Sequence, residues 1–404
     1  MSETVKITPS GDMKTAADAG AGSNRTVVTG TFRSGHSDNR TSAGGGNATS
    51  VHGHNGHGHN GHGHKQDVED LVTGVDINPY ISLNLDASSS LESALDTVES
   101  KYAMLTEFAE GGTATVSIAR DKNLHRLVAV KTLKRDAANA QEQLNAFITE
   151  AKVTAQLDHP GIIPIYGLSR DGDNGIDLVM KLVDGRTLRE YLRNLELNYR
   201  IRGLNSFDEN IELRKRLELF LHVCDTIAYA HHRSVIHRDL KPENIMIGRY
   251  MEVYVMDWGL AKVLSEDDEP PHTNGQLSGT PRYFPPEVLH GKPLDLRSDI
   301  FTLGLILQET VTLQYAVSGN DPQEFIDHIL KGNIEPIEHK FGWKIDKTLK
   351  AIIRKATEYD IDARYQTAED LAEDLRRYMG GLPVSARPDN LWDKIIRFFF
   401  HRDR

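Results

Sequence analysis

The chain has 404 residues, 39% of them hydrophobic and 26% charged, which suits a globular protein with apolar material for at least one large core. Its formal net charge of −11 argues against binding nucleic acid by neutralising phosphates. Cys224 is the sole cysteine, so an intrachain disulfide and a cysteine-built zinc site are both excluded, and a reducing compartment is expected.

The first residues lack the apolar core of a signal peptide, and no run of about 18 apolar residues occurs. The expected location is cytoplasmic, with membrane association as the alternative. Residues 1–75 are dominated by Gly, Ser, Thr, Asn, Asp and His, a composition too poor in apolar side chains to offset the entropy of ordering, and they read as a disordered tail. Within it, His52, His54, His57, His59, His62 and His64 alternate with Gly and Asn. Two readings stay open for them: a solvated spacer, or a site for Zn²⁺ or Ni²⁺. Residues 76–101 read as a linker.

Periodicity begins at Tyr102. Residues 102–135 predict strands around a Gly-containing turn, YAMLTEFAEGGTATVSIA and then LVAVKTL. Residues 137–157 predict a helix, being rich in helix formers and free of Gly and Pro. Strands are expected again at GIIPIYGLS and IDLVMKLV. After Gly185 the pattern turns helical. Around residues 211–233, Leu217, Leu221, Cys224 and Ala228 share one helix face, which predicts that Cys224 is a core residue and not a nucleophile. The fold class expected is α+β, with a small β-rich lobe before a larger helical one and a ligand cleft between them.

Four groups carry chemistry. His237-Arg238-Asp239-Leu240-Lys241-Pro242-Glu243-Asn244 places a carboxylate, Asp239, five residues before an amide, Asn244. Asp239 is expected to orient an attacking hydroxyl and Asn244 to bind a metal ion. Asp257-Trp258-Gly259 follows the strand-like EVYVM and supplies a second metal ligand, Asp257. Val128-Ala129-Val130-Lys131 ends a β-branched run in lysine, and Phe147-x-x-Glu150 on the next helix offers the carboxylate to hold it. Phosphoryl transfer needs little more than a held nucleotide, metal ions on its phosphates and a carboxylate near the acceptor hydroxyl.

On these motifs, residues 102–378 resemble a eukaryotic-type serine/threonine protein kinase, and are most similar to the bacterial members of that family. The resemblance implies a bilobal kinase domain at 102–380, with an N-lobe at 102–183 and a C-lobe at 184–380, followed by a basic and aromatic extension at 381–404. It implies ATP with Mg²⁺, or Mn²⁺ in its place, and protein substrates; the net charge already speaks against nucleic acid as a partner. Lys241 matches the serine/threonine branch. Lys131, Glu150, Asp239 and Lys241 would be catalytic, with Asn244 and Asp257 on the metal. Gly111, Val116, Ala129, Lys131, Met180, Val183 and Met246 would line the nucleotide site, Met180 as gatekeeper. His237, Arg238, Glu287, Asp299 and Arg364 would be structural, Asp299 anchoring the catalytic loop and Arg364 pairing with Glu287.

The departure lies in the Gly-rich loop, which here reads Ala109-Glu110-Gly111-Gly112-Thr113-Ala114-Thr115-Val116. Alanine at the outer positions adds a methyl where glycine lets the backbone approach phosphate. That supports a rival reading, a pseudokinase serving as a binding scaffold. The segment 257–287 carries the phosphosite candidates Thr273 and Ser278, for which Arg238 would provide a cationic partner. Thr280 is expected to contact substrate or Asp239. The acidic run Glu266-Asp267-Asp268-Glu269 reads either as a solvated loop or as built-in charge for Arg238. In PVSARPDNLWDKIIRFFFHRDR, Leu391, Trp392, Ile395, Ile396, Phe398 and Phe399 form an apolar face beside basic residues. That face either packs on the kinase or contacts a membrane surface.

Overall fold

The computed structural model describes residues 5–6, 101–110, 114–134, 140–171, 175–202, 206–264 and 276–388. The His-rich tail, nearly all of the linker, Gly111, Thr273, the acidic run and the aromatic C-terminal segment lie outside the described residues. Val5–Lys6 pairs antiparallel with Gln276–Leu277.

The first described lobe is a five-stranded antiparallel sheet. Its strands are β1 (Tyr102–Glu110), β2 (Ala114–Asp121), β3 (Leu127–Leu133), β4 (Ile165–Asp171) and β5 (Gly175–Lys181), in the order β1-β2-β3-β5-β4. The central strand β3 is rich in β-branched residues, and Val128 and Val130 are completely buried. Their neighbours Ala129 and Lys131 point to the opposite face, because strand side chains alternate. Helix α1 (Ala140–Gln156) follows β3 and packs Leu144, Phe147, Ile148 and Ala151 against Leu133, Ile176 and Leu178. The strand expected from Gly161 begins only at Ile165. Pro164 has no amide hydrogen to give to a ladder, and before it only Ile162 bridges, to Val255.

Beyond Leu182–Asp184 the chain passes through β6 (Gly185–Thr187) into α2 (Leu188–Arg202) and α3 (Ser206–His232). The last begins five residues before its expected start. Cys224 lies fully buried on α3, with Leu217, Val223 and Ile227 in the same core. Short strands β7 (Val235–Ile236), β8 (Ile245–Gly248), β9 (Val253–Val255) and β10 (Lys262–Val263) form two small antiparallel sheets, β9-β8-β6 and β10-β7. They hold the polar loops at the top of this lobe.

Helices α4 (Pro286–Leu289), α5 (Leu296–Thr312), α6 (Pro322–Leu330), α7 (Lys347–Ala356) and α8 (Ala368–Met379) complete it. Helix α5 is buried along almost its whole length, its polar side chains included: Asp299 is 2% exposed and Gln308 and Glu309 are each 1% exposed. Asp295, Asp321, Asp346 and Thr367 cap the starts of α5, α6, α7 and α8 by accepting backbone amide hydrogens.

Two features of this lobe are sensitive to change. A Cβ at Gly304 on α5 would sit 2.8 Å from the Cβ of Ala356 and 3.1 Å from its backbone carbonyl carbon, so α5 and α7 meet across a bare backbone. Gly304→Ala is expected to lower the unfolding free energy by about 1–3 kcal/mol, measurable by urea denaturation. The second feature is His339, pushed down to about 4 by burial and by the Arg216 guanidinium. The folded protein therefore holds this ring neutral, and the unfolded chain takes up a proton on it below about pH 6.5. The contribution is present above that pH and is lost as pH falls towards 4. His339→Gln should flatten the fall in urea midpoint between pH 7 and pH 4.5 relative to wild type.

Candidate active site

Between the sheet and the helical lobe lies a cavity of about 330 Å³. Strand register builds its upper wall. Val116 stands opposite Lys131 in the β2–β3 ladder, and Ala129 opposite Met180 in the β3–β5 ladder. All four line the cavity, and Val183 and Met246 complete its mainly apolar middle. An apolar slot between two walls suits a flat heteroaromatic ring, with backbone amides of the Leu182–Val183 connection at its edge.

The polar end begins at Lys131. Its ammonium donates to both Glu150 carboxylate oxygens at 2.6 and 2.8 Å and lies 3.7 Å from Asp257. Burial works against the lysine's charge, but Glu150 and Asp257 outweigh it and raise the lysine above its ordinary range, so it is an ammonium at neutral pH. Phe147 and Glu150 fall on one face of α1 at a spacing of three, and the ammonium also sits 5.8 Å from the Phe147 ring.

Asp257 adopts a left-handed backbone, φ 61°, a strained conformation for a non-glycine residue. Gly259 leaves room between the carboxylates, since a Cβ there would come within 3.3 Å of Glu150 Oε2 and 3.4 Å of Asp257 Oδ1. Trp258 is buried, its ring 4.5 Å from that of His237, and its indole N–H donates to the Val255 carbonyl at 3.3 Å. A phenylalanine could fill this space but could not make that bond.

The catalytic-loop sequence is fixed by Asp299, fully enclosed in α5. Its carboxylate accepts the backbone amides of His237 (2.9 Å) and Arg238 (3.1 Å) and bonds the His231 ring at 2.9 Å. Burial alone would raise its pKa; the His231 bond and nearby backbone donors outweigh that and hold it below the usual carboxylate value. Arg238 sits at φ 69°, a second strained position. His237 bonds the Met256 carbonyl at 3.1 Å through Nε2, linking this loop to the Asp257 turn.

Asp239 is met on both oxygens. Thr280 donates to Oδ1 at 2.9 Å, while Lys241 and Asn244 approach Oδ2 at 2.6 and 3.3 Å. Lys241 also donates to Thr280 at 2.9 Å, and Asn244 to the Asp239 carbonyl at 2.8 Å. Farther out, Arg364 forms a two-pronged pair with Glu287 at 2.9 and 2.8 Å, which Ser298 joins at 2.8 Å. Ser278 and Arg238 line one small cavity beside these groups.

The sequence reading missed three partners. His231 on Asp299 and Thr187 in the cavity wall are ordinary helix and strand residues by pattern. Arg189, which bridges Glu243 and Glu309, carries only the signal of a basic residue on an amphipathic helix.

A sheet lobe closing an apolar cavity onto a helical lobe that carries the polar loops is the architecture of bilobal phosphotransferases. The sequence model described as protein kinase domain matches residues 102–375, and the chain belongs to that family. It is similar to bacterial serine/threonine-protein kinases. Identity is 31% over 296 residues with PknD of Protochlamydia amoebophila, covering 69% of this chain and 30% of that protein. It is 33% over 280 residues with PknB of Mycobacterium leprae, covering 68% and 42%. It is 32% over 290 residues with the probable serine/threonine-protein kinase SCO3848 of Streptomyces coelicolor, covering 71% and 41%. The chain thus spans less than half the length of these relatives. Among the described residues, no helix is long and apolar enough to cross a membrane.

The tie between Trp258 and Val255 gives a local test. Trp258→Phe is expected to lower the unfolding free energy by about 1 kcal/mol in a denaturant titration. It should also weaken metal-dependent nucleotide binding severalfold by calorimetry.

Proposed function

We propose that this chain is an ATP-dependent protein kinase that transfers the γ-phosphoryl group to serine or threonine hydroxyls of proteins. The observation that carries this reading is the convergence of Lys131, Glu150 and Asp257 at one end of an apolar cavity that Asn244 also lines. We place the kinase domain at 102–380. Family membership implies ATP and a divalent metal, and Mg²⁺ is the ion proposed.

The residues present fit such a group. Asp257 keeps 47% of its side chain exposed, and its contact with Lys131 is a long one. Asn244 spends its N–H donors on Asp239, leaving its carbonyl oxygen to meet a cation. Among the described residues, no cluster of three or more His, Cys, Asp or Glu could hold a metal ion. A pair of oxygens beside a phosphate pocket suits Mg²⁺, which takes phosphate oxygens and waters as its remaining ligands. When bound, the ion neutralises charge that develops on the transferred phosphoryl group.

The chain's own groups then divide the task. Lys131, aimed by Glu150, holds the phosphates of the nucleotide. Asp239 accepts a hydrogen bond from the acceptor hydroxyl and fixes its line of attack, and Lys241 balances charge beside it. The Ser278 hydroxyl, sharing a cavity with the Arg238 guanidinium, is a phosphosite on the segment that leads to Thr280, with Thr273 as the second candidate. The presence of every charged group favours the kinase over the scaffold reading, despite the alanines of the Gly-rich loop.

Incubation of the purified chain with Mg²⁺ and ATP, followed by mass spectrometry, tests the assignment. Phosphoserine or phosphothreonine should appear on the chain or on an added protein. Asp239→Asn should lower the rate by about 10²–10⁴-fold while nucleotide binding persists. Equal turnover by the variant, or none by wild type, would replace the kinase with the scaffold.

A further inference from the structure

Beside the catalytic loop the helical lobe opens a second, polar pocket of about 460 Å³. It is joined through the chain to the groups that hold Asp239: Thr280, bonded to that carboxylate, is followed two residues on by Arg282 in the pocket wall. Glu243, four residues after Asp239 in the same loop, has 45% of its side chain exposed at this edge. A polypeptide laid with its hydroxyl at Asp239 brings residues near its acceptor within reach of this edge, because successive residues of an extended chain advance only about 3.3 Å.

Two carboxylates stand here, and both are already taken. The Arg189 guanidinium donates to Glu243 through Nε at 2.8 Å and to Glu309 through Nη2 at 2.8 Å. Glu309 is left only 1% exposed, and the Tyr283 hydroxyl bonds it as well. The guanidinium also stacks 4.5 Å from the Tyr315 ring, whose other neighbour is the Arg282 guanidinium at 4.1 Å. The remaining charges of the wall lean positive. Glu196 is bound by Lys340 at 2.7 Å and Glu335 by Ser318, while Arg193 is exposed on the rim.

A pair of carboxylates set to grip a planar guanidinium, at the edge of a substrate track, is the chemistry that reads an arginine. We propose that Arg189 fills this acidic site from within the chain, so that the kinase disfavours arginine beside its acceptor hydroxyl and takes protein segments with neutral or acidic neighbours. The exposed Arg193 and the stacked Arg282 add repulsion against a basic residue, which is specificity by unfavourable contact. The inference rests on the kinase reading above. Arg189 does not line the nucleotide cavity, and its effect on selectivity runs through Glu243 and Glu309.

The test uses the full chain and fluorescein-labelled peptides that differ only in having arginine or alanine at each position flanking a central serine. Binding is read by anisotropy, without phosphoryl transfer. Wild type should bind the two series alike or the arginine series more weakly. Arg189→Ala should bind one arginine peptide about tenfold or more tightly than its alanine counterpart, the gain of a charge-assisted hydrogen bond. Adding Glu243→Ala should remove that gain. Arg189→Ala leaves Glu309 buried without its partner, so Arg189→Gln, which keeps one donor and loses the charge, provides a second variant with a milder cost to folding. A purely structural ion pair would lower the melting temperature of these variants and leave peptide preference unmoved, which would overturn the proposal. A wild-type preference for arginine at the responding position would overturn it equally. Turnover of the same peptides with ATP and Mg²⁺ is scored separately. Its absence in wild type would count against the kinase assignment, while the binding comparison still decides what the pocket reads.

Discussion

One buried negative charge organises the helical lobe. Asp299 is 2% exposed inside α5, and a carboxylate so enclosed is tolerable only if donors surround it. The donors it uses are two backbone amides of the catalytic loop and a histidine ring from α3. Desolvation, which would ordinarily expel the charge, thus becomes a reason for the loop to hold one conformation. The strained backbone at Arg238 persists because these bonds over-determine it. Everything downstream, from the aim of Asp239 to the grip of His237 on the Met256 carbonyl, inherits that placement.

The sheet lobe attaches to this platform through charge as well as through chain. Lys131 belongs to β3, Glu150 to α1, and Asp257 to the turn after β9, so three separately folded pieces converge on one ammonium. Removing the lysine would leave two carboxylates facing each other in a partly dry site, which is costly. Gly259 and Trp258 serve the same convergence from opposite directions. The glycine removes bulk where the carboxylates approach, and the indole fills the apolar space behind the turn while bonding Val255.

Much of this was legible in the sequence because its key parts are local. The run from His237 to Asn244 and the Asp257-Trp258-Gly259 turn carry their geometry in short spacings, and the helix face shared by Leu217, Leu221, Cys224 and Ala228 placed Cys224 in the core where it lies. The pairing of Arg364 with Glu287 spans 77 residues and was reachable only through the family resemblance. What stayed hidden was of another kind. Arg189 meets Glu243 and Glu309 across 54 and 120 residues, and nothing in the local pattern of α2 distinguishes it from a solvated arginine. The late start of β4 was hidden differently: the apolar run GIIPI reads as strand until Pro164 is weighed for its missing donor.

The bonds around Asp239 have a further consequence. With Thr280 on one oxygen and Lys241 and Asn244 on the other, the carboxylate is held from both sides. Its direction is set by the chain's own side chains. On the kinase reading proposed above, discrimination among hydroxyls would fall to depth of entry, a side chain being accepted when its backbone rides at the height that brings its oxygen to a fixed point. On that reading the surfaces that set the height, and not the carboxylate itself, would be the places where selectivity evolves.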